Sequence, residues 1–184
     1  MNGGRLRSIG YFKSAGFTLV ELVVVVGIIV VMMAVGLPYF SSMIRSSRLD
    51  GAARQLVGDV REARSRATLT GWQYKIFGFR YGGGGANPNQ YRIVGRSSSS
   101  VAWPSDTAQS FQSSTQMAGA WINFTHEYPG VSLNPSSGYA SFYVSFTPLG
   151  AAFEINNFSP LVITSDAGGS KSVTVTPAGG VKIQ

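Results

Sequence analysis

The sequence predicts an α+β protein, with one long N-terminal helix that packs on a C-terminal antiparallel β domain. Three observations support this: an apolar run at 17–37, a helical apolar period that continues to about Leu69, and short β-like runs from Trp72 onward. A chain of 184 residues has room for one ordinary domain plus an appendage. We predict four segments: a leader at 1–16, a transmembrane segment at 17–37, a helical spine at 38–71 and a β-rich head at 72–184.

The apolar run FTLVELVVVVGIIVVMMAVGL has the length of a membrane span. Its 21 residues carry a single charge, Glu21, and a helix of this length extends about 30 Å, the thickness of a bilayer core. The leader before it holds Arg5, Arg7 and Lys13 and no acidic residue. This asymmetry predicts a single pass with the N-terminus in the cytoplasm and the head across the membrane. An ordinary secretory signal fits less well, because the run is long and Gly36-Leu37-Pro38-Tyr39 makes a poor cleavage site.

Glu21 is the feature that a plain anchor does not explain. A carboxylate inside a membrane helix is costly unless it is paired or lies near the interface, so a retained one indicates function. A cut between Gly16 and Phe17 would create a cation at the right depth, the amine of Phe17. The two groups are then an i,i+4 pair within one chain. They could equally meet between neighbouring chains whose helices are staggered.

The string Gly16-Phe17-Thr18-Leu19-Val20-Glu21-Leu22, preceded by a short basic leader, resembles the processing site of type IV prepilins and pseudopilins. The resemblance implies that a prepilin peptidase cuts after Gly16 and N-methylates Phe17. It implies that Glu21 pairs with the terminal amine of an adjacent subunit during fibre assembly, and that Pro38 kinks the helix. It further implies an inner-membrane protein with a periplasmic head. Its partners would be the peptidase, inner-membrane lipid and other pilin or pseudopilin subunits.

The spine at 38–71 has one apolar stripe that predicts a helix packed against a sheet. The stripe residues lie three or four apart: Leu49, Ala52, Ala53, Leu56, Val60, Ala63 and Ala67. The other faces are rich in arginine. We interpret them as a solvated surface with local ion pairs, such as Asp59 with Arg66; the alternative is a surface for acidic lipid head groups, a partner subunit or DNA.

The region from Trp72 onward predicts seven or eight short strands. We expect a hairpin from 72–81 and 90–96, a long surface loop at 97–120, and then further strands separated by Gly- and Pro-rich turns. These later strands are expected at 120–125, 138–147, 151–158, 160–165, 171–176 and 181–183.

Within the pseudopilins, three stretches resemble the GspH/FimT family: 61–67, 146–150 and 175–182. DNA-binding members of that family carry an arginine-rich motif after the last turn, where this chain has Gly180-Val181-Lys182. DNA is therefore a possible partner but not an expected one. If DNA binds, we expect it on the arginine-rich helix faces or on the first hairpin, at Lys75, Arg80, Arg92 and Arg96.

Catalysis and cofactor chemistry find little support. The chain has no Cys and one His, and its 15 Lys+Arg against 8 Asp+Glu give a net charge of +7, of which the leader contributes three. His126 lacks the context of a catalytic triad, and we expect it in an ordinary loop or strand. We predict no enzyme activity, cofactor or metal. The resemblance implies a minor pseudopilin of a type II secretion system, or alternatively a minor pilin of a type IV pilus that primes assembly or takes up DNA.

Overall fold

A computed structural model describes residues 16–82, 88–135 and 138–184; most of the predicted leader lies outside this range. Two helical elements occur in it, the long helix α1 (Leu19–Thr70) and the single turn α2 (Phe124–Glu127). Eleven strands are described: β1 (Gln73–Phe79), β2 (Gln90–Arg96), β3 (Phe111–Gln112), β4 (Gln116–Ala118), β5 (Ile122–Asn123), β6 (Val131–Pro135), β7 (Ser141–Phe146), β8 (Ala152–Asn156), β9 (Leu161–Ser165), β10 (Ser170–Val175) and β11 (Val181–Ile183). The predicted α+β, pilin-like fold class is confirmed.

The chain divides into two units between Phe40 and Ser41. In the first unit, every side chain of residues 19–37 is exposed, and the apolar part of α1 is long and hydrophobic enough to cross a membrane by length and composition. A helix that is apolar on all sides is typical of a membrane span or a fully buried helix. The helix is continuous through position 38, so a kink at Pro38 stays a prediction.

The second unit contains the rest of α1 and all the strands. The predicted stripe on α1 is confirmed, because all seven of its residues are buried, and Val57 joins them. They pack in one hydrophobic core with residues from both sheets. Thr70 and Gly71 end the helix as expected, with Gly71 in the left-handed conformation at φ 72°.

The strands form two antiparallel sheets. The larger has seven strands in the order β3-β4-β2-β1-β7-β8, with β5 also pairing with β2, and the smaller has the order β11-β10-β9-β6. At the centre of the larger sheet, Ile76 of β1 lies opposite Ile93 of β2 and Val144 of β7. All three side chains are in the core, which fixes the register because a slip of one residue would expose them.

Three local expectations were wrong. The stretch 97–120 is not simply a surface loop, because it contains β3 and β4, which extend the larger sheet beside β2. Strand β6 was not expected; its Pro135 masks the β pattern but is tolerated since β6 is an edge strand. Only two residues of 120–125 are extended, and the chain then turns into α2. Asn123 caps that turn by accepting from the His126 N–H at 3.3 Å, so His126 lies in a helical turn.

Candidate processing and assembly site

The segment around Gly16 begins α1 through a side-chain cap. Thr18 is the N-cap residue: its Oγ1 accepts the backbone N–H of Glu21 at 3.2 Å, and its carbonyl accepts the N–H of Leu22 at 3.1 Å. Glu21 is the third helical residue, so Thr18-Leu19-Val20-Glu21 has the spacing of a capping box. The motif therefore specifies where the helix begins, in addition to carrying its single charge.

This cap changes the geometry expected for Phe17 and Glu21. Phe17 precedes the N-cap and lies outside the helix, with 75% of its surface exposed. The i,i+4 argument needs both residues on one helical face, and Phe17 is not on the helix. Glu21 is in the first turn and exposed, where its negative charge also interacts favourably with the helix dipole. The helical i,i+4 relation therefore does not apply here, and both pairings that the sequence left open stay predictions.

The apolar helix surface that follows Glu21 is not buried by any part of the described structure. Side chains on all sides of the helix are exposed; examples are Val25 at 43%, Val24 at 54% and Val30 at 59%. Each such side chain costs roughly 1.5–3 kcal/mol in water relative to burial. An exposed apolar surface of this kind is consistent with lipid, or the helices of neighbouring subunits, as the surroundings of residues 19–37.

One comparison with known proteins matches this same segment. A family model described as the prokaryotic N-terminal methylation motif matches residues 11–37. No curated protein and no solved structure matches the chain.

The motif indicates a type IV pilin-like protein that is made as a precursor. It implies processing by a prepilin peptidase and assembly with other pilin subunits. The apolar part of α1 is consistent with anchoring in the inner membrane.

The basic residues of the first hairpin mostly serve the head's own structure. Arg92 is fully buried, and its guanidinium donates to the carbonyl of Ala108 at 2.7 Å and to that of Ser105. It also lies 4.5 Å from the centre of the Trp121 ring. Burial lowers the pKa of Arg92. The expectation that Arg92 is available to DNA is corrected, because its donors hold the 97–120 connection against the sheet.

Lys75 and Arg96 flank one indole. Lys75 Nζ lies 4.3 Å and the Arg96 guanidinium 4.3 Å from the Trp103 ring centre. Lys75 also pairs with Glu154 at 3.7 Å, and burial lowers its pKa. Arg96 donates to Gln73 Oε1 at 2.8 Å and to the Val101 carbonyl at 3.2 Å. Both cations therefore contact the 97–120 connection, as Arg92 does. These contacts leave them poorly placed to bind phosphate groups.

Arg80 is half-buried, and its guanidinium donates to the carbonyl of Gly138 at 2.9 Å. With the other three hairpin cations also engaged inside the head, the arginine-rich helix faces are the remaining place for a nucleic acid. DNA binding was not expected from the sequence, and that prediction stays untested.

The three stretches that resemble the GspH/FimT family meet at one place in the head. Thr147-Pro148-Leu149-Gly150 and Thr176-Pro177-Ala178-Gly179 are similar turns, each closed by a 2.8 Å bond from the glycine N–H to the threonine carbonyl. Both glycines have φ 78°. Arg64 of α1 donates to the Gly179 carbonyl at 3.2 Å. The sequence does not predict this meeting, although the repeated Thr-Pro-x-Gly pattern was a visible signal for it.

The acidic residues of α1 pair differently from the sequence expectation. Arg66 pairs with Glu62 at 2.6 Å, whereas Asp59 accepts a hydrogen bond from the hydroxyl of buried Tyr91. Burial raises the pKa of Asp59 and that of Tyr91. This pair ties α1 to β2 and is best read as structural. No cluster of three or more metal-ligating His, Cys, Asp or Glu side chains occurs in the described parts of the chain.

Proposed function

We propose that this protein is a minor pseudopilin of a type II secretion system. It is held in the inner membrane by residues 17–37, cut after Gly16, methylated at Phe17 and assembled into a periplasmic fibre that drives protein secretion. Its role is mechanical and not catalytic, with no cofactor. The observation that carries the proposal is the methylation motif followed by a capped helix whose apolar surface is uncovered.

The choice between the two machines depends on the head. A minor pilin that takes up DNA through the first hairpin or the last turn of its head needs accessible cations there. In this head Arg92 is buried, Lys75 and Arg96 hold Trp103, and the place of the family's arginine-rich motif has only Lys182. These observations favour the secretion machine. A type IV pilus subunit that primes assembly without binding DNA is the alternative.

The test is a deletion strain compared with its parent for enzymes released into the medium. The proposal predicts that the enzymes accumulate in the periplasm and that the wild-type gene restores their release. A gene carrying Gly16→Glu should fail to restore it, which ties the defect to processing. Normal secretion together with loss of surface pili would assign the chain to a type IV pilus.

A further inference from the structure

One cleft in the head brings together the two arginines that follow the membrane span most closely. It has a volume of about 290 Å³ and is lined by Arg45 and Arg48 of α1, Pro129 and Gly130 after α2, Ser165 at the end of β9, and Asp166 after it. The cleft lies entirely within the second unit.

The two arginines are free to bind an anion. Some basic side chains of the head have carboxylate partners, as in Arg66 with Glu62 and Lys171 with Asp50. Arg45 and Arg48 are exposed and have no ion pair among the described residues. Arg48 donates one hydrogen bond to the Pro129 carbonyl at 3.3 Å, and its guanidinium has four further N–H donors. A phosphate oxygen is a favourable acceptor for these donors.

The remaining lining adds one donor and one opposing charge. Ser165 Oγ accepts the N–H of Ala167 at 3.3 Å, so its own hydrogen remains to be donated into the cleft. The Asp166 carboxylate repels an anion, and its backbone N–H is already bonded to the Gly130 carbonyl at 2.9 Å. The lining therefore has a net charge of +1, which suits a singly charged phosphodiester.

The position of the cleft along the chain indicates where that phosphodiester comes from. Arg45 follows Leu37, the last residue of the apolar run, by only eight residues, so the chain cannot carry Arg45 further than about 28 Å from Leu37. The headgroup layer on each side of a bilayer is about 5–8 Å thick, and an arginine extends its long stem toward the interface. Anionic lipids in that layer attract basic residues near the surface.

We propose that this cleft binds the phosphodiester headgroup of an anionic phospholipid, with Arg45 and Arg48 as the main contacts. The proposal rests on the proposed membrane anchoring of residues 17–37. It does not depend on which secretion or pilus machine the subunit serves. Bound lipid would hold the head at the membrane surface until the subunit enters a fibre.

The test is lipid retention by the full chain in neutral detergent micelles, measured by native mass spectrometry with dioleoyl phosphatidylglycerol, dioleoyl phosphatidylcholine or inorganic phosphate. A pair between one exposed arginine and a phosphate contributes up to about fivefold in affinity. We expect R45Q/R48Q to weaken phosphatidylglycerol binding about 25-fold. The matched control R54Q/R61Q removes the same charge from exposed residues further along α1 and should change binding less than about twofold.

A variant that binds lipid more tightly addresses the possibility that R45Q/R48Q loses binding because it misfolds. Asp166→Asn removes the opposing charge and should tighten phosphatidylglycerol binding severalfold. If both double variants lost phosphatidylglycerol binding equally, the proposal would be overturned, because the net charge of the chain and not the cleft would then explain the binding. Equal retention of the two lipids, or competition by inorganic phosphate at the lipid's own concentration, would also overturn it. The measurement needs no fibre, so its failure and a failed secretion test are separate results.

Discussion

The two parts of α1 have the same secondary structure and opposite relations to their surroundings. From Leu19 to Leu37 every side chain is exposed, although nearly all are apolar. From Leu49 to Ala67 one stripe is buried to 6% exposure or less, and the remaining faces are polar. The first part is hydrophobic on all sides, whereas the second is hydrophobic on one.

This difference indicates that the two parts of one helix suit two environments, an apolar one for residues 19–37 and the core of the head for residues 49–67. The second part obtains its stability from the head core, so each buried side chain there contributes to the folding of the head. The side chains of the first part are exposed in the described structure, and the methylation motif implies lipid and other subunits as their surroundings. Changes in the first part should therefore affect processing and assembly, and changes in the second should affect folding.

The largest expected effect is at the cleavage site. Gly16→Glu should leave a full-length precursor in the membrane, because the peptidase reads the residue before the cut. Gly16 is exposed with open space around it, so the substitution disturbs no contact of the fold. Gly58→Glu, also at an exposed glycine with open space, is the control and should be cut normally. Immunoblotting for the size of the membrane-bound protein measures both, and normal cutting of the Gly16 variant would contradict the assigned site.

Glu21→Val should give a protein that inserts and is cut but does not enter fibres, because the proposed charge partner of the Phe17 amine is gone. Incorporation is measured by fractionating sheared fibres from membranes. Glu21→Asp keeps the carboxylate and the first-turn charge and should retain part of the incorporation. Normal incorporation of the valine variant would refute the pairing role.

Leu56→Ala should lower the free energy of unfolding of the head by about 2–5 kcal/mol, because Leu56 is fully buried in the core. Leu22→Ala is the matched control in the first part of α1, where the side chain is 58% exposed, and should leave that free energy unchanged. All three tryptophans, Trp72, Trp103 and Trp121, lie in the head. Tryptophan fluorescence of the full chain in micelles during denaturant titration therefore reports the head alone. A comparable loss of unfolding free energy from both substitutions would contradict the distinction between the two parts of α1.

A smaller effect is expected at the paired turns. Gly179 has φ 78°, and a Cβ there would collide with the Gly150 carbonyl and approach Arg64 Nε at 2.9 Å. Gly179→Ala should cost about 3 kcal/mol, from backbone strain and lost packing. Gly168→Ala has the same kind of φ, 91°, but open space around it, so it should cost only about 1 kcal/mol. The same fluorescence titration compares them, and equal costs would mean that the turn contact contributes nothing.

The parts of this account that the sequence predicted are those that depend on local pattern. The buried stripe of α1 follows from a period of three and four residues, and Gly16, Phe17 and Glu21 stand in one short motif. Strand β2 was predicted with its observed bounds because its β-like residues lie between clear turn signals. These features need no knowledge of distant contacts.

The parts that the sequence missed depend on contacts between distant residues. Arg92 alternates with apolar neighbours as an exposed strand residue would, yet the 97–120 connection covers it and bonds to it. Strands β3 and β4 are too short to show alternation and exist because β2 offers an edge. The cap by Thr18 does have a local sequence signal, which is the Thr-x-x-Glu spacing.

The central claim is that this chain is a pilin-like precursor processed between Gly16 and Phe17. The most direct measurement is the intact mass and N-terminal fragmentation spectrum of the protein purified from its own membranes. The account predicts a chain that begins at Phe17 and carries one methyl group on its terminal amine. A protein that begins at Met1, or one cut after the apolar run near Leu37, would contradict the account.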